Sequence, residues 1–183
     1  MNITKKMLID GYQIAVFDNL LSFPQLEENV KFLYNAPFKK TEFSRAETSQ
    51  YTHWAHEIEP KNLKIENYWA STAKAVKSIF PDDKWKAYRA YVNYGGFGDA
   101  MFSHHDSTVK EITCLWYMVP QWHIDWGGET VFYDKNEEIA LACVPKPGRL
   151  VVFDGRIKHS GRPPNRNCLH SRFTLAIKLE KLK

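Results

Sequence analysis

The chain has 183 residues, 44% apolar and 14% aromatic, with a formal net charge of +4 and no block of lysine or arginine. A folded core is therefore expected, and nucleic-acid binding is permitted but not demanded. No apolar run approaches a membrane span, no signal peptide is read at the start, and three cysteines without CxxC spacing (Cys114, Cys143, Cys168) fit a reducing cytoplasm rather than a disulfide framework.

Residues 13–17, "QIAVF", predict a short strand. In "SFPQLEENVKFLYN", Ser22 and Gln25 resemble a capping box and Pro24 suits a first helical turn. Leu26, Val30 and Leu33 then give an apolar helical face. Residues 41–58, "TEFSRAETSQYTHWAHEI", follow no clear period and read as a long loop or irregular hairpin. A second helical stripe through Tyr68, Trp69, Thr72, Ala73, Val76 and Phe80 places a helix within 61–80. After Pro81 the period shortens to two. "WKAYRAYVNY" puts Tyr88, Ala90, Val92 and Tyr94 on one face, and "EITCLWYMV" puts Thr113, Leu115 and Tyr117 on one face. "GGETVFY", "EIALACV", "GRLVVF" and "SRFTLAIKL" are further strands, divided by the turn-like "DWGG", "DKNE", "PKPG" and "SGRPPNRN". No repeat or linker interrupts the chain. One domain over 1–183 is expected, with helical support over about 1–85 and a mostly β core over about 86–180, a sandwich or barrel with flanking helices.

Residues 103–106 read "SHHD". On a strand end His104 and Asp106 point to the same side, and His105 between them points away. A third ligand has to come from a distant strand, and His159, after "GRLVVF", is the candidate. Two imidazoles and one carboxylate make the facial triad of non-heme Fe(II) oxygenases, which leaves coordination positions open. His-x-Asp alone is a weak signal.

Agreement at several separate places is stronger. "YVNYGGFGDAMFSHHD", "TCLWYM", "GGETVFY", "PKPGRLVVFDGRIKHSG" and "SRFTLAIKL" follow in the order of the prolyl-hydroxylase-like branch of the 2-oxoglutarate/iron(II) dioxygenases, which the chain resembles over roughly residues 86–180. The resemblance implies a double-stranded β-helix, the jelly-roll barrel of cupins. It implies Fe(II) held by His104, Asp106 and His159, with 2-oxoglutarate and O2 as co-substrates and ascorbate as a candidate reductant. It implies that Arg172 takes the distal carboxylate of 2-oxoglutarate, which a guanidinium fork suits. Tyr117 would hydrogen-bond the same carboxylate, Tyr94 would face the co-substrate near the metal, and Thr130 would line the pocket. The implied activity is hydroxylation of a C–H bond coupled to decarboxylation of 2-oxoglutarate to succinate. Related halogenases lack the carboxylate ligand, so Asp106 favours hydroxylation.

By analogy with the loop that closes over substrate in prolyl hydroxylases, segment 41–58, with Arg45, Gln50, Tyr51 and Trp54, is the expected substrate clamp. A mobile surface loop is the plain alternative. Arg162 and Arg166 are expected to shape access. Two departures bear on substrate: Met101 stands where the family often has a tyrosine, and the loop between His159 and Arg172 is longer than in the oxygen-sensing prolyl hydroxylases. His123 and His170 read as loop histidines without a role. Gly127 and Gly128 read as a turn, and "YGGFG" lacks the pattern of a phosphate loop. The expected substrate is a proline in a peptide or protein. A small molecule or free amino acid is the alternative, and a non-catalytic metal-binding barrel the further one. A nucleic-acid demethylase has little support, because the last strand reads Arg172-Phe173-Thr174 with Lys178 instead of Arg-x-Asn-x5-Arg. No membrane partner is expected, and the sequence sets no oligomeric state.

Overall fold

Alternation sorts the core strands into two rows of side chains, and both rows are buried. The computed structural model describes residues 3–60 and 66–182. In chain order its elements are β1 (Ile3–Ile9), β2 (Tyr12–Phe17), α1 (Phe23–Tyr34), β3 (Lys39–Glu42), β4 (His53–Ile58), α2 (Glu66–Ile79), β5 (Trp85–Gly95), β6 (Ile112–Tyr117), β7 (Thr130–Tyr133), β8 (Ile139–Cys143), β9 (Leu150–Asp154), β10 (His159–Gly161) and β11 (Arg172–Lys181). An eight-stranded sheet has the order β1-β2-β9-β6-β11-β5-β4-β3, and a three-stranded sheet the order β10-β7-β8. Every strand pair is antiparallel. The two sheets form the jelly roll.

One row of the large sheet packs on the helices. Phe173, Leu175, Ile177 and Leu179 of β11, with Ile112, Cys114 and Trp116 of β6, meet Leu33 of α1 and Tyr68, Ala75, Val76 and Ile79 of α2. The other row faces the small sheet. Leu115 and Tyr117 of β6 and Ala176 of β11 meet Phe132, Leu141 and Cys143. The inward row of β11 is Arg172, Thr174, Ala176 and Lys178, and three of these four are polar. A polar row in a double-sided apolar sheet marks where the cavity lies.

The helical layer is fixed by polar contacts as well as burial. Trp116 Nε1 donates to Thr72 Oγ1 at 2.9 Å, and Tyr68 meets the Trp116 ring edge-on at 5.0 Å. Asn29 Nδ2 donates to the Tyr68 hydroxyl at 2.7 Å and so ties α1 to α2. At the start of α1 the Gln25 side chain accepts from Ser22 N at 2.9 Å, with Pro24 in the first turn.

Several expectations need adjustment. Strand β1 went unread because its first four residues are exposed and carry no apolar period. The Asp10–Gly11 turn, with φ of 50° and 84°, is the hairpin signal that announces it. Segment 41–58 is the irregular hairpin: β3 and β4 pair across a bulge, and β4 joins the large sheet beside β5. The helix placed within 61–80 spans Glu66–Ile79, and residues 61–65 lie outside the described residues. The three cysteines are free and buried. No helix among the described residues is long and apolar enough to cross a membrane.

Candidate metal centre

The segment carrying His104 and Asp106 is zipped onto the chain leading into β10. His104 N donates to His159 O, and His159 N to His104 O, both at 2.9 Å. Asp106 N and Ser107 N both donate to Gly155 O, at 2.9 and 3.1 Å. A Cβ at Gly155 would stand 3.4 Å from the Cβ atoms of Asp106 and Ser107, so glycine lets the two segments approach. Backbone pairing thus brings together two ligand sources far apart in sequence.

The donor atoms of His104, Asp106 and His159 lie within 4.8 Å of one another. His104 Nε2 is 3.4 Å from Asp106 Oδ1, and His159 Nε2 is 3.6 Å from Asp106 Oδ2. Each imidazole is held by its other nitrogen: His104 Nδ1 is 3.0 Å from Phe102 O, and His159 Nδ1 is 3.0 Å from Ile157 O. A carbonyl can only accept, so both Nδ1 atoms carry the proton and both Nε2 lone pairs are free to bind a metal. Burial pushes the His159 imidazole down to about 4, which keeps it neutral. Burial alone would raise the Asp106 carboxyl, but the Lys178 ammonium and then His159 outweigh it and hold the carboxyl well below the usual range. Two imidazoles, each held through Nδ1, and an ionised carboxylate on one side of a cavity fit an Fe(II) ion.

The same cavity runs to Arg172, which is 2% exposed. Arg172 Nε donates to Gly128 O at 2.6 Å and Nη2 to Thr130 Oγ1 at 2.9 Å. No carboxylate within the described residues forms an ion pair with it. A buried guanidinium without an anion is costly, and the remaining donors suit the carboxylate of a small acid. Thr130 lines the cavity as well as steadying Arg172.

The other candidate residues fall in different places. Tyr94 is a correction. Its ring packs on Phe38 and Phe173 at 6.0 and 5.7 Å, on the helix side of β5, while Tyr91 and Asn93 line the cavity. Tyr117 is a second correction. It faces inward, but its hydroxyl lies 2.7 Å from Thr130 Oγ1 and 2.9 Å from Cys143 O, outside the cavity lining. Arg172 sits 5.5 Å over its ring, so Tyr117 braces Arg172 and Thr130. Burial pushes its phenol up to about 12. Trp54 lies on the face of β4 opposite His53 and Ala55, away from the cavity, which corrects its place in the clamp. Arg162 is exposed and reaches the Tyr133 hydroxyl at 3.3 Å, also outside the lining. Arg45 and Tyr51 are also outside the lining, but both touch the segment that leads into His104. Arg45 donates to Ser103 O, and Tyr51 packs on Phe102 at 5.3 Å. His105 turns away and lies 2.9 Å from Arg156 O.

Other cavity residues were not legible as site residues. Lys178 is 8% exposed and contacts Asp106 Oδ2 directly. His53 Nδ1 and Asn93 Oδ1 are buried and lack a hydrogen-bond partner, and both residues line the cavity. Met101, set where the family often has a tyrosine, lines it too, as does Ser44. Gly128, read as a turn, has φ of 78°, and a Cβ there would lie 2.9 Å from Trp122 Cζ2 and 3.2 Å from Arg172 Cδ.

Residues 89–177 match the model of the 2OG-Fe(II) oxygenase superfamily. Comparison with curated protein sequences finds no match. Among solved structures, a Pseudomonas putida prolyl-4-hydroxylase superposes with a TM-score of 0.68 at 14% identity, covering 93% of each chain. A viral collagen prolyl hydroxylase from Paramecium Bursaria Chlorella virus-1, solved with 2OG, gives 0.69 at 15% identity, covering 97% of this chain and all of the other. A Trichoplax adhaerens prolyl hydroxylase, in complex with a hypoxia inducible factor oxygen degradation domain peptide, gives 0.68 at 18%, covering 91% and 82%. These superpositions agree with the jelly roll described above.

Proposed function

We propose that this chain, a 2-oxoglutarate/Fe(II) oxygenase with the fold of the prolyl hydroxylases, hydroxylates a proline carbon in a peptide or protein substrate. The observation that carries the reading is one cavity holding both the His104–Asp106–His159 cluster and the buried, acid-free Arg172. In this reading His104, Asp106 and His159 hold Fe(II). Arg172 and Thr130 hold the distal carboxylate of 2-oxoglutarate, and Tyr117 keeps both in place from behind. Bound iron, with 2-oxoglutarate and O2, supplies the oxidising power for C–H hydroxylation as 2-oxoglutarate becomes succinate and CO2.

The protein's part is orientation and exclusion of water. Carbonyl contacts at Phe102 and Ile157 fix both imidazole tautomers and ring planes. The surface beside the cavity supports a peptide substrate. Arg45, Tyr51 and Phe102 form an aromatic and cationic rim, anchored through Ser103 O to the segment that carries His104. Tyr51 is half exposed there, and Ser44 Oγ accepts from Phe102 N at 3.0 Å. A rim of this kind can hold an extended chain beside the cavity.

The test is a reaction with Fe(II), 2-oxoglutarate, O2 and ascorbate, offering proline-containing peptides and free L-proline in parallel. Succinate release together with a peptide one oxygen atom heavier by mass spectrometry is expected. Turnover on L-proline or another small molecule alone would replace the peptide reading. Tight 2-oxoglutarate binding without succinate from any substrate would leave a binding module.

A further inference from the structure

Among the described residues, Lys178 is the one lysine or arginine that shares a buried carboxylate with the metal cluster. Its ammonium contacts Asp106 Oδ2 and lies 3.1 Å from Thr113 Oγ1, while Thr113 Oγ1 itself donates to Asp106 Oδ2 at 2.5 Å. Asp106 Oδ1 faces His104. The side chains of Lys178 and Asp106 are 10% and 8% exposed, so water screens the pair little. Among the described residues Asp106 is the only acid paired with Lys178.

We propose that Lys178 is a resident counter-cation for the metal site, which keeps the empty site folded and weakens its hold on the divalent ion. The inference rests on His104, Asp106 and His159 being the metal ligands. With the site empty, Asp106 would be a buried carboxylate between two imidazoles, and Lys178 supplies the opposite charge. With a divalent ion bound, two cations face each other across one carboxylate at a range of a few ångströms in a poorly screened interior. The positive charge of Lys178 therefore opposes the ion, and the site exchanges metal more readily than a triad without a lysine. A purely orienting partner would do the reverse. Removing an ordinary hydrogen-bonding partner of a ligand loosens metal affinity, typically by about 10–100-fold.

The signs of the two roles differ, so a metal titration separates them. Co(II) alone is the probe, added to the apo full-length chain for wild type, Lys178→Met, Lys178→Gln and Lys178→Arg, with melting temperatures taken before and after. Lys178→Gln keeps a donor near Oδ2 without the charge. The expected result is Co(II) binding tighter by about tenfold or more in the Met and Gln variants, a lower melting temperature for their apo forms, and near wild-type values for Arg. Where an apo variant fails to fold, the Co(II)-loaded form is prepared and its affinity read by chelator competition. Unchanged or weaker Co(II) binding in both neutral variants overturns the inference. Wild-type protein that does not bind Co(II), or binds it equally in His104→Ala, overturns the metal-centre reading beneath it.

Discussion

Arg172 and Lys178 enter one cavity from opposite ends of the inward row of β11, yet among the described residues only Lys178 has a carboxylate at ion-pair distance. One buried cation is already neutralised and the other is left for an acid from outside. Arg172→Met is expected to leave metal binding intact and to raise the dissociation constant for 2-oxoglutarate. Loss of charged hydrogen bonds worth about 2–3 kcal/mol would weaken it roughly 30–160-fold. Calorimetric titration of the metal-loaded protein measures this. An unchanged constant would place the acid elsewhere.

Gly128 seats Arg172 through its carbonyl and leaves no space for a side chain. Gly128→Ala meets both a left-handed φ and a contact of 2.9 Å with Trp122. We expect it to weaken 2-oxoglutarate binding about as Arg172→Met does while leaving metal affinity alone, because the loop must shift away from the guanidinium. A variant that binds 2-oxoglutarate like wild type would show that the seat is dispensable.

His104 and His105 are adjacent, but only His104 turns its Nε2 to Asp106. His104→Ala is expected to abolish high-affinity metal binding, and His105→Ala to leave it within about twofold. Equal losses would mean that the segment, rather than one imidazole, sets affinity.

Much of this was legible in the sequence. The order of the strands' motifs and the spacing of His104, Asp106 and His159 pointed to the jelly roll and the cluster. The parity of β6 and β11 was legible too, with Thr113, Leu115 and Tyr117 on one face and Arg172, Thr174 and Ala176 on one face. What the sequence withheld was which face of β5 is inside. The large sheet is buried on both sides, so alternation yields two apolar rows with no rule for telling them apart. Tyr94 was correctly grouped with Ala90 and Val92, but that row packs on the helices. Trp54 was placed by analogy in a segment that shows no period, and β4, with its bulged partner, turns it away from the cavity. Lys178 and His53 were illegible as site residues because their meaning depends on Asp106 and on a cavity assembled from distant strands.

His53 offers a pH readout apart from the metal ligands. It is 6% exposed, and burial lowers its pKa, against the opposing pull of Glu42 and Asp99 and with the help of His104 and Arg172. The folded value is below the unfolded one, so the unfolded chain binds the proton first as pH falls. His53 therefore contributes stability that is present above about pH 6.5 and is lost below it, as pH falls through the folded pKa. His53→Gln is expected to flatten the stability loss of the apo protein between about pH 7 and pH 5, measured by urea unfolding. An unaltered slope would mean that His53 is not buried in its neutral form.

The central claim is that one cavity holds the metal and 2-oxoglutarate together. Anaerobic addition of 2-oxoglutarate to the Fe(II)-loaded protein, watched for the weak visible charge-transfer band of the chelate, tests it most directly. The band should appear in wild type, vanish in His104→Ala and require far more 2-oxoglutarate in Arg172→Met. Iron binding with no band at saturating 2-oxoglutarate, or a band indifferent to both substitutions, would contradict the account.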